Sequence, residues 1–317
     1  MPEYRHDEIL DRRVIVAAER SARPHTTTTN PDARTGPEHC PFCPGHEDRT
    51  PPETYRTGEG AAETLGWRVR VVPNLYPMVG TFEDGDATGA HEVVILSPDH
   101  EASLGQLDLD QAIEVFTVLR DRARSHLDAG RAYAAVFLNH GRGAGASIEH
   151  PHAQIVAPDT PAAAITAMAE RFSTDLIARE MAAARRTGLV VVDGPAIAWC
   201  PPASWSPYSM RVAHRSTRAG FDGATDAEVR VVAEALHSAL GRIFATLGDV
   251  PYNVIVHSAP PNVHAREMHW HVEVVPRTGV VAGFELGSGI YANSVAPEHA
   301  ATLLRGETPA GPRAENQ

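Results

Sequence analysis

The sequence predicts an α+β fold built from two similar halves, and three observations lead there. His150-Pro151-His152-Ala153-Gln154-Ile155-Val156 returns as His269-Trp270-His271-Val272-Glu273-Val274-Val275, a constant 119 residues further on. Each copy alternates, so that a strand would carry His, His and Gln (or Glu) on one face. Each copy also follows a helical pattern and another strand in the same order. That points to a duplication, although general identity between the halves is low.

The elements follow in chain order. Residues 24–64 are rich in Pro, Thr, Glu and Gly and read as a mostly irregular arm holding Cys40 and Cys43. Apolar runs over 67–72, 92–96 and 134–138 come next, the last two as strands of one sheet. Between those two, Ile113, Phe116, Leu119, Ala123 and Leu127 recur at helical spacing, with Asp108 or Asp110 as N-cap. In the second half Thr225-Asp226-Ala227-Glu228 has the form of a capping box. Val229, Val232, Leu236, Leu240, Ile243 and Leu247 mark the buried stripe of the helix it starts, which Gly248 ends. A strand over 252–256 leads to the second His strand. The Ala-rich stretch 160–186 reads as helical and links the halves. Residues 279–289 form a Gly-rich segment and 306–317 a frayed tail.

Composition bounds the function. With 317 residues and 43% apolar content the chain can bury a sizeable core, as one large domain or two halves. A net charge of −12 argues against nucleic acid or an anionic membrane surface as partner. All 28 basic residues are arginine, so no Walker lysine, Schiff-base lysine or Ser-Lys dyad exists. Codon bias is the plain explanation of that usage. No run of 18 apolar residues predicts a membrane span, and the N-terminus lacks the apolar core of a signal peptide. Three cysteines do not make a secreted disulfide framework. The reading is a cytoplasmic protein.

Cys40-Pro41-Phe42-Cys43 has the spacing of half a zinc site. Cys200 is far away in sequence, so a four-ligand site would recruit histidines, with His100 and His150 at strand ends as candidates. A redox dithiol or two unrelated cysteines are the competing readings, the first weakened by flanking prolines. His150 and His152 could divide the work, one fixed to a metal and the other a nucleophile or base; two structural histidines are the alternative. The loop before them, from Asn139 to Ser147, has glycines that let backbone N–H groups approach an anion, and Asn139 and Ser147 add neutral donors. In the second half His257, His271 and Glu273 form a candidate metal set, with His269 or Glu170 to complete it, or a structural group.

These segments together resemble galactose-1-phosphate uridylyltransferases and their relatives in the histidine-triad superfamily. They are Cys40–Gly45, Arg70–Asn74, Ser97–His100, Gly145–Ser147, His150–Gln154, His269–Glu273 and Gly283–Gly287, and the match runs from about Arg12 to Arg305. The resemblance implies a duplicated histidine-triad-like fold, two antiparallel sheet-plus-helix halves forming one unit. Residues 1–158 would be the half with the zinc arm and nucleophile, 159–305 the second half and 306–317 a flexible tail. It implies that His152 attacks the α-phosphorus of a nucleotide sugar, that a covalent nucleotidyl-histidine forms, and that a sugar 1-phosphate such as galactose 1-phosphate then takes the nucleotidyl group. Gln154 and Ser147 would assist at the phosphate with Asn139. Arg20, Arg23 and Asn74 would lie near the nucleotide, and Glu285 with Phe284 near the hexose. A structural zinc would sit on Cys40, Cys43, His100 and His150. A second zinc or iron would sit on His257, His271 and Glu273, with Glu170. A homodimer is implied as well.

Three features separate this chain from the well-known uridylyl-transferring members. Phe284 stands where they carry Tyr, Gly279-Val280 replaces a Lys-Phe pair, and Gly283–Gly289 looks like the branch that includes adenylyl-transferring enzymes. The resemblance as a whole implies uridylyl transfer, and these features make adenylyl transfer or nucleotide-sugar phosphorolysis the alternative. A nucleotide hydrolase commonly has a third His where Gln154 stands. A zinc-stabilised binding module without turnover fits poorly with His152, Gln154 and Ser147 together.

Overall fold

The computed structural model describes residues 3–16, 36–81, 86–160, 162–172, 175–216, 220–261 and 268–308. The chain opens with β1 (Glu3–Asp7) and β2 (Arg12–Val16). The first half continues with β3 (Tyr55–Gly58), β4 (Trp67–Pro73), β5 (Gly89–Ile95), α1 (Leu109–Asp128), β6 (Ala135–His140) and β7 (His152–Pro158). Two helices, α2 (Ala163–Arg171) and α3 (Leu176–Arg186), fill the Ala-rich link. The second half holds β8 (Val190–Val192), β9 (Ala196–Trp199), β10 (Met210–His214), α4 (Asp226–Leu247), β11 (Tyr252–His257) and β12 (His271–Pro276). After it come α5 (Gly283–Ser288), β13 (Ile290–Asn293) and α6 (Pro297–Leu304).

One sheet runs through both halves in the order β3-β4-β5-β7-β6-β11-β12-β10-β9-β8. Outward from the central β6–β11 pair, each half repeats the same succession, so β7 and β12, the two His strands, take equivalent places. The centre is antiparallel, with Leu138 opposite Val254. Alternation sorts the side chains. Val94, Leu138, Ala153, Ile155, Val212, Val254 and Val272 face α1 and α4 in one continuous core. Each buried Val, Leu or Ile among them contributes roughly 1.5–3 kcal/mol. The opposite face carries His91, Asn139, His152, Gln154, Arg211, Asn253, His257, His271 and Glu273. A sheet with one face this polar has been given over to something other than packing.

Both long helices start where local signals place them. Asp108 is the N-cap residue of α1, although its side chain makes no capping bond. Thr225 caps α4 with a complete box: Glu228 N–H donates to Thr225 Oγ1 at 3.3 Å, and Thr225 N–H to Glu228 Oε2 at 2.7 Å. The Gly-rich segment contains the short α5. No helix among the described residues is long and apolar enough to cross a membrane.

β1 and β2 pair with each other and, in parallel, with β13, forming a separate three-stranded sheet. The first strands thus belong structurally with the far end of the chain. Buried Arg211 ties the small sheet down, donating to Asp7 at 2.5 Å and to Glu180 at 2.7 and 2.9 Å.

Candidate active site

The arm from Gly36 to Thr50 is anchored on β4. Glu47 accepts the Trp67 indole N–H at 2.9 Å, and the buried Arg70 reaches Glu53 and Glu63 at 2.6 Å and the Glu47 carbonyl at 3.3 Å. This brings Cys40 and Cys43 to the turn after β5 and to the entrance of β7. One ligand atom each from Cys40, Cys43, His100 and His150 lies within 4.8 Å of all the others. Cys43 Sγ is 3.2 Å from His100 Nδ1 and 3.5 Å from His150 Nδ1. His150 Nε2–H donates to the Ser97 carbonyl at 2.8 Å, which fixes the tautomer that turns Nδ1 to the thiols. His100 stays partly exposed; the other three are buried. Burial and the neighbouring Cys40 push the Cys43 thiol up to about 12. Two buried thiols so close cannot both ionise unless a cation joins them, and the Cys2His2 set fits a tetrahedral metal.

β7 begins at His152, two residues later than the alternation predicted. His150 and Pro151 precede the strand, which frees His150 to turn to the thiols. His152 Nδ1–H donates to the His150 carbonyl at 2.8 Å, leaving the lone pair on Nε2. The Phe42 ring packs edge-on at 5.5 Å, and burial lowers the His152 pKa. An imidazole that is neutral, locked in one tautomer and 6% exposed is suited to nucleophilic attack.

Asn139, at the end of β6, faces the same way. Asn253 Nδ2–H donates to Asn139 Oδ1 and to the Ala144 carbonyl, both at 2.8 Å, so the glycine loop is pinned to β11. Gly141 and Gly145 have φ of 76° and 92°, a region that favours glycine. Ser147 is exposed at the end of this loop, five residues before His152. Asn74 joins through a residue that sequence reasoning missed: His91 Nε2 lies 2.8 Å from Gln154 Oε1 and 3.1 Å from Asn74 Nδ2. The available signal was the alternation of Gly89-Ala90-His91, which puts His91 on the Gln154 face.

Arg20 and Arg23 are outside the described residues. Glu285 sits on α5, where it accepts the Ala282 N–H at 3.0 Å; Phe284 beside it is exposed. Neither hydrogen-bonds to a residue around His152.

The second His strand repeats the lock and changes the surroundings. His271 Nδ1–H donates to the His269 carbonyl at 3.0 Å, but His271 Nε2 is buried without a partner. Glu273 has both oxygens engaged, by the Trp205 indole N–H at 2.8 Å and by His257 Nε2 at 3.1 Å. Arg211, also missed, faces Glu273 across the β10–β12 ladder. Burial would raise the Glu273 pKa, but the His257 hydrogen bond and the charges of His257 and Arg211 hold it well below the usual range. Glu170 is exposed on α2. Among the described residues, no choice of ligand atoms brings three of His257, His271, Glu273 and Glu170 within 4.8 Å. The expected second metal set is not gathered within that distance; the Trp205 indole and His257 already meet its carboxylate.

A family described as "Domain of unknown function (DUF4921)" matches residues 88–305. An ADP-glucose phosphorylase from Arabidopsis thaliana is 28% identical over 96% of this chain and 92% of that protein. A galactose-1-phosphate uridylyltransferase from Thermotoga maritima is 27% identical over 96% and 98%. The crystal structure of an Arabidopsis thaliana ADP-glucose phosphorylase with bound ADP-glucose superposes with a TM-score of 0.83 at 25% identity, over 98% of this chain and 100% of that one.

Proposed function

We propose, from the premise that this chain belongs to the DUF4921 family of galactose-1-phosphate uridylyltransferase-like proteins, that it is a nucleotidyltransferase acting through His152. His152 Nε2 attacks the α-phosphorus of a nucleoside-diphosphate sugar; an N–P bond forms as the bond to the bridging oxygen breaks, and sugar 1-phosphate leaves. A phosphate oxygen of the acceptor then attacks the same phosphorus and releases the histidine. The observation that carries this is the Nδ1–H lock on His152, with Gln154 and the glycine loop on the same side. Gln154, Ser147 and Asn139 donate to phosphate oxygens. Arg20, Arg23 and Asn74 serve the nucleotide, and Glu285 and Phe284 the sugar.

Zinc fits Cys40, Cys43, His100 and His150, and bound there it supplies a structural clamp. The residues it would hold include His150, whose carbonyl orients His152. The same reading takes 1–158 and 159–305 as the two halves and 306–317 as a tail, of which 309–317 lie outside the described residues. It also takes the protein as cytoplasmic and as a homodimer; exposed Val280, Phe284 and Leu286 support such a contact.

Uridylyl transfer from a UDP-sugar to galactose 1-phosphate is one donor–acceptor pair. The likeness to ADP-glucose phosphorylase along nearly the whole chain favours a second, adenylyl transfer from ADP-glucose to a sugar phosphate or to phosphate. Incubation with UDP-glucose or ADP-glucose labelled in the nucleotide, acid trapping, and chase with phosphate, galactose 1-phosphate or water tests the mechanism and separates the pairs. Protein that takes up no acid-labile label from either donor would refute the reading.

A further inference from the structure

Gln154 can help a phosphate only with its NH2 end, yet a strand does not determine which way an amide points. The residue that does so is His91. In the β5–β7 ladder Val93 lies opposite Gln154 and His91 opposite Val156, so His91 is a diagonal neighbour of Gln154 on the same face. The Met78 backbone N–H donates to His91 Nδ1 at 3.2 Å. A neutral imidazole that accepts at Nδ1 must carry its proton on Nε2. That N–H lies 2.8 Å from Gln154 Oε1, so the carbonyl end faces β5 and the NH2 end is left for a ligand. Burial lowers the His91 pKa and keeps the ring neutral. Asn74 is anchored alongside: its Oδ1 accepts the Tyr76 N–H at 2.8 Å.

We propose that His91 is a positioning residue for nucleotidyl transfer, whose Nε2–H holds the Gln154 amide with its NH2 toward a non-bridging phosphate oxygen. His91 acts through Gln154 and touches no reacting atom. The proposal rests on the reading of His152 as nucleophile.

Single-turnover labelling with nucleotide-labelled ADP-glucose and UDP-glucose tests it, on wild type, His91→Ala, His91→Gln, Gln154→Ala and the His91→Ala/Gln154→Ala double variant. The expected loss in His91→Ala is about 10- to 100-fold in labelling rate, the range for removal of a group that orients a ligand, with half-saturation by the donor unchanged. His91→Gln, which keeps an N–H donor on a side chain of similar reach, recovers part of the rate and guards against a folding defect in the Ala variant. In the Gln154→Ala background the His91→Ala change adds nothing. Wild-type labelling rates in His91→Ala, or effects that multiply in the double variant, overturn the positioning role alone. An unlabelled wild type overturns the proposed function and this role with it.

Discussion

His152 and His271 are held by the same bond: each donates from Nδ1 to the carbonyl two residues before it, at 2.8 and 3.0 Å. The duplication copied the lock. It did not copy the surroundings, since His271 is fully buried beside His257 while His152 stays 6% exposed beside Phe42. The pair therefore separates fold from chemistry. His152→Ala is expected to lose acid-labile labelling by at least about 1,000-fold, as when a nucleophile is removed, whereas folded His271→Gln keeps it. Comparable labelling of His152→Ala and wild type would refute the assignment.

Cys40→Ser should strip the metal from the Cys2His2 cluster and lower Tm, since the arm then loses its tie to β7. Elemental analysis beside a thermal melt checks this. Unchanged metal content and unchanged Tm would count against thiolate ligation.

Gln154→Glu replaces an NH2 donor with a carboxylate facing the phosphate. Labelling should slow by about 100-fold or more, and by more than in Gln154→Ala, because repulsion adds to the lost donor. Stopped single-turnover reactions at saturating donor measure the two rates.

Glu92 gives a pH prediction. Burial would raise its pKa, but hydrogen bonds from His126 and Arg122 bring it down to about 2 from 4.5. A carboxylate with a depressed folded pKa contributes stability that is present above pH 4.5 and lost as pH falls from 4.5 toward about 2. The contribution is on the order of 3 kcal/mol. Glu92→Gln should therefore lower stability at pH 7 and flatten its dependence on pH between 4.5 and about 2, read by urea unfolding across that range.

Arg211→Met should cost about 3–5 kcal/mol, because Asp7 and Glu180 are left as carboxylates without their cation. Equilibrium unfolding measures the loss. Protein that stays folded should still label at His152, which lies in the other half of the sheet.

The sequence was most legible where its signals are local. The capping box at Thr225 and Glu228 and the start of α1 after Asp108 depend on residues a few positions apart, and both stand where expected. The Cys40-to-Cys43 spacing is local too, and the family resemblance named its histidine partners. The sheet of β1, β2 and β13 was invisible for the opposite reason: its parallel pairing joins residues at the two ends of the chain, and no local pattern marks it. His91 and Arg211 escaped because a polar residue inside a strand reveals its face but not its cross-strand neighbour.

By itself the sequence determined two copies of one strand, an α+β chain around them, and the residue types for nucleotidyl transfer. Alternation and capping act within a few residues, so they survive in a one-dimensional reading. The resemblance already pointed to the first copy as the reactive one; only the tertiary structure decided what surrounds each copy. The Nε2 lone pair of an imidazole is useful where a substrate can reach it, and that depends on what long-range packing lays over each strand. Beside β12 it laid Trp205 and Arg211 against Glu273. Beside β7 it placed the glycine loop, Gln154 and, behind Gln154, His91.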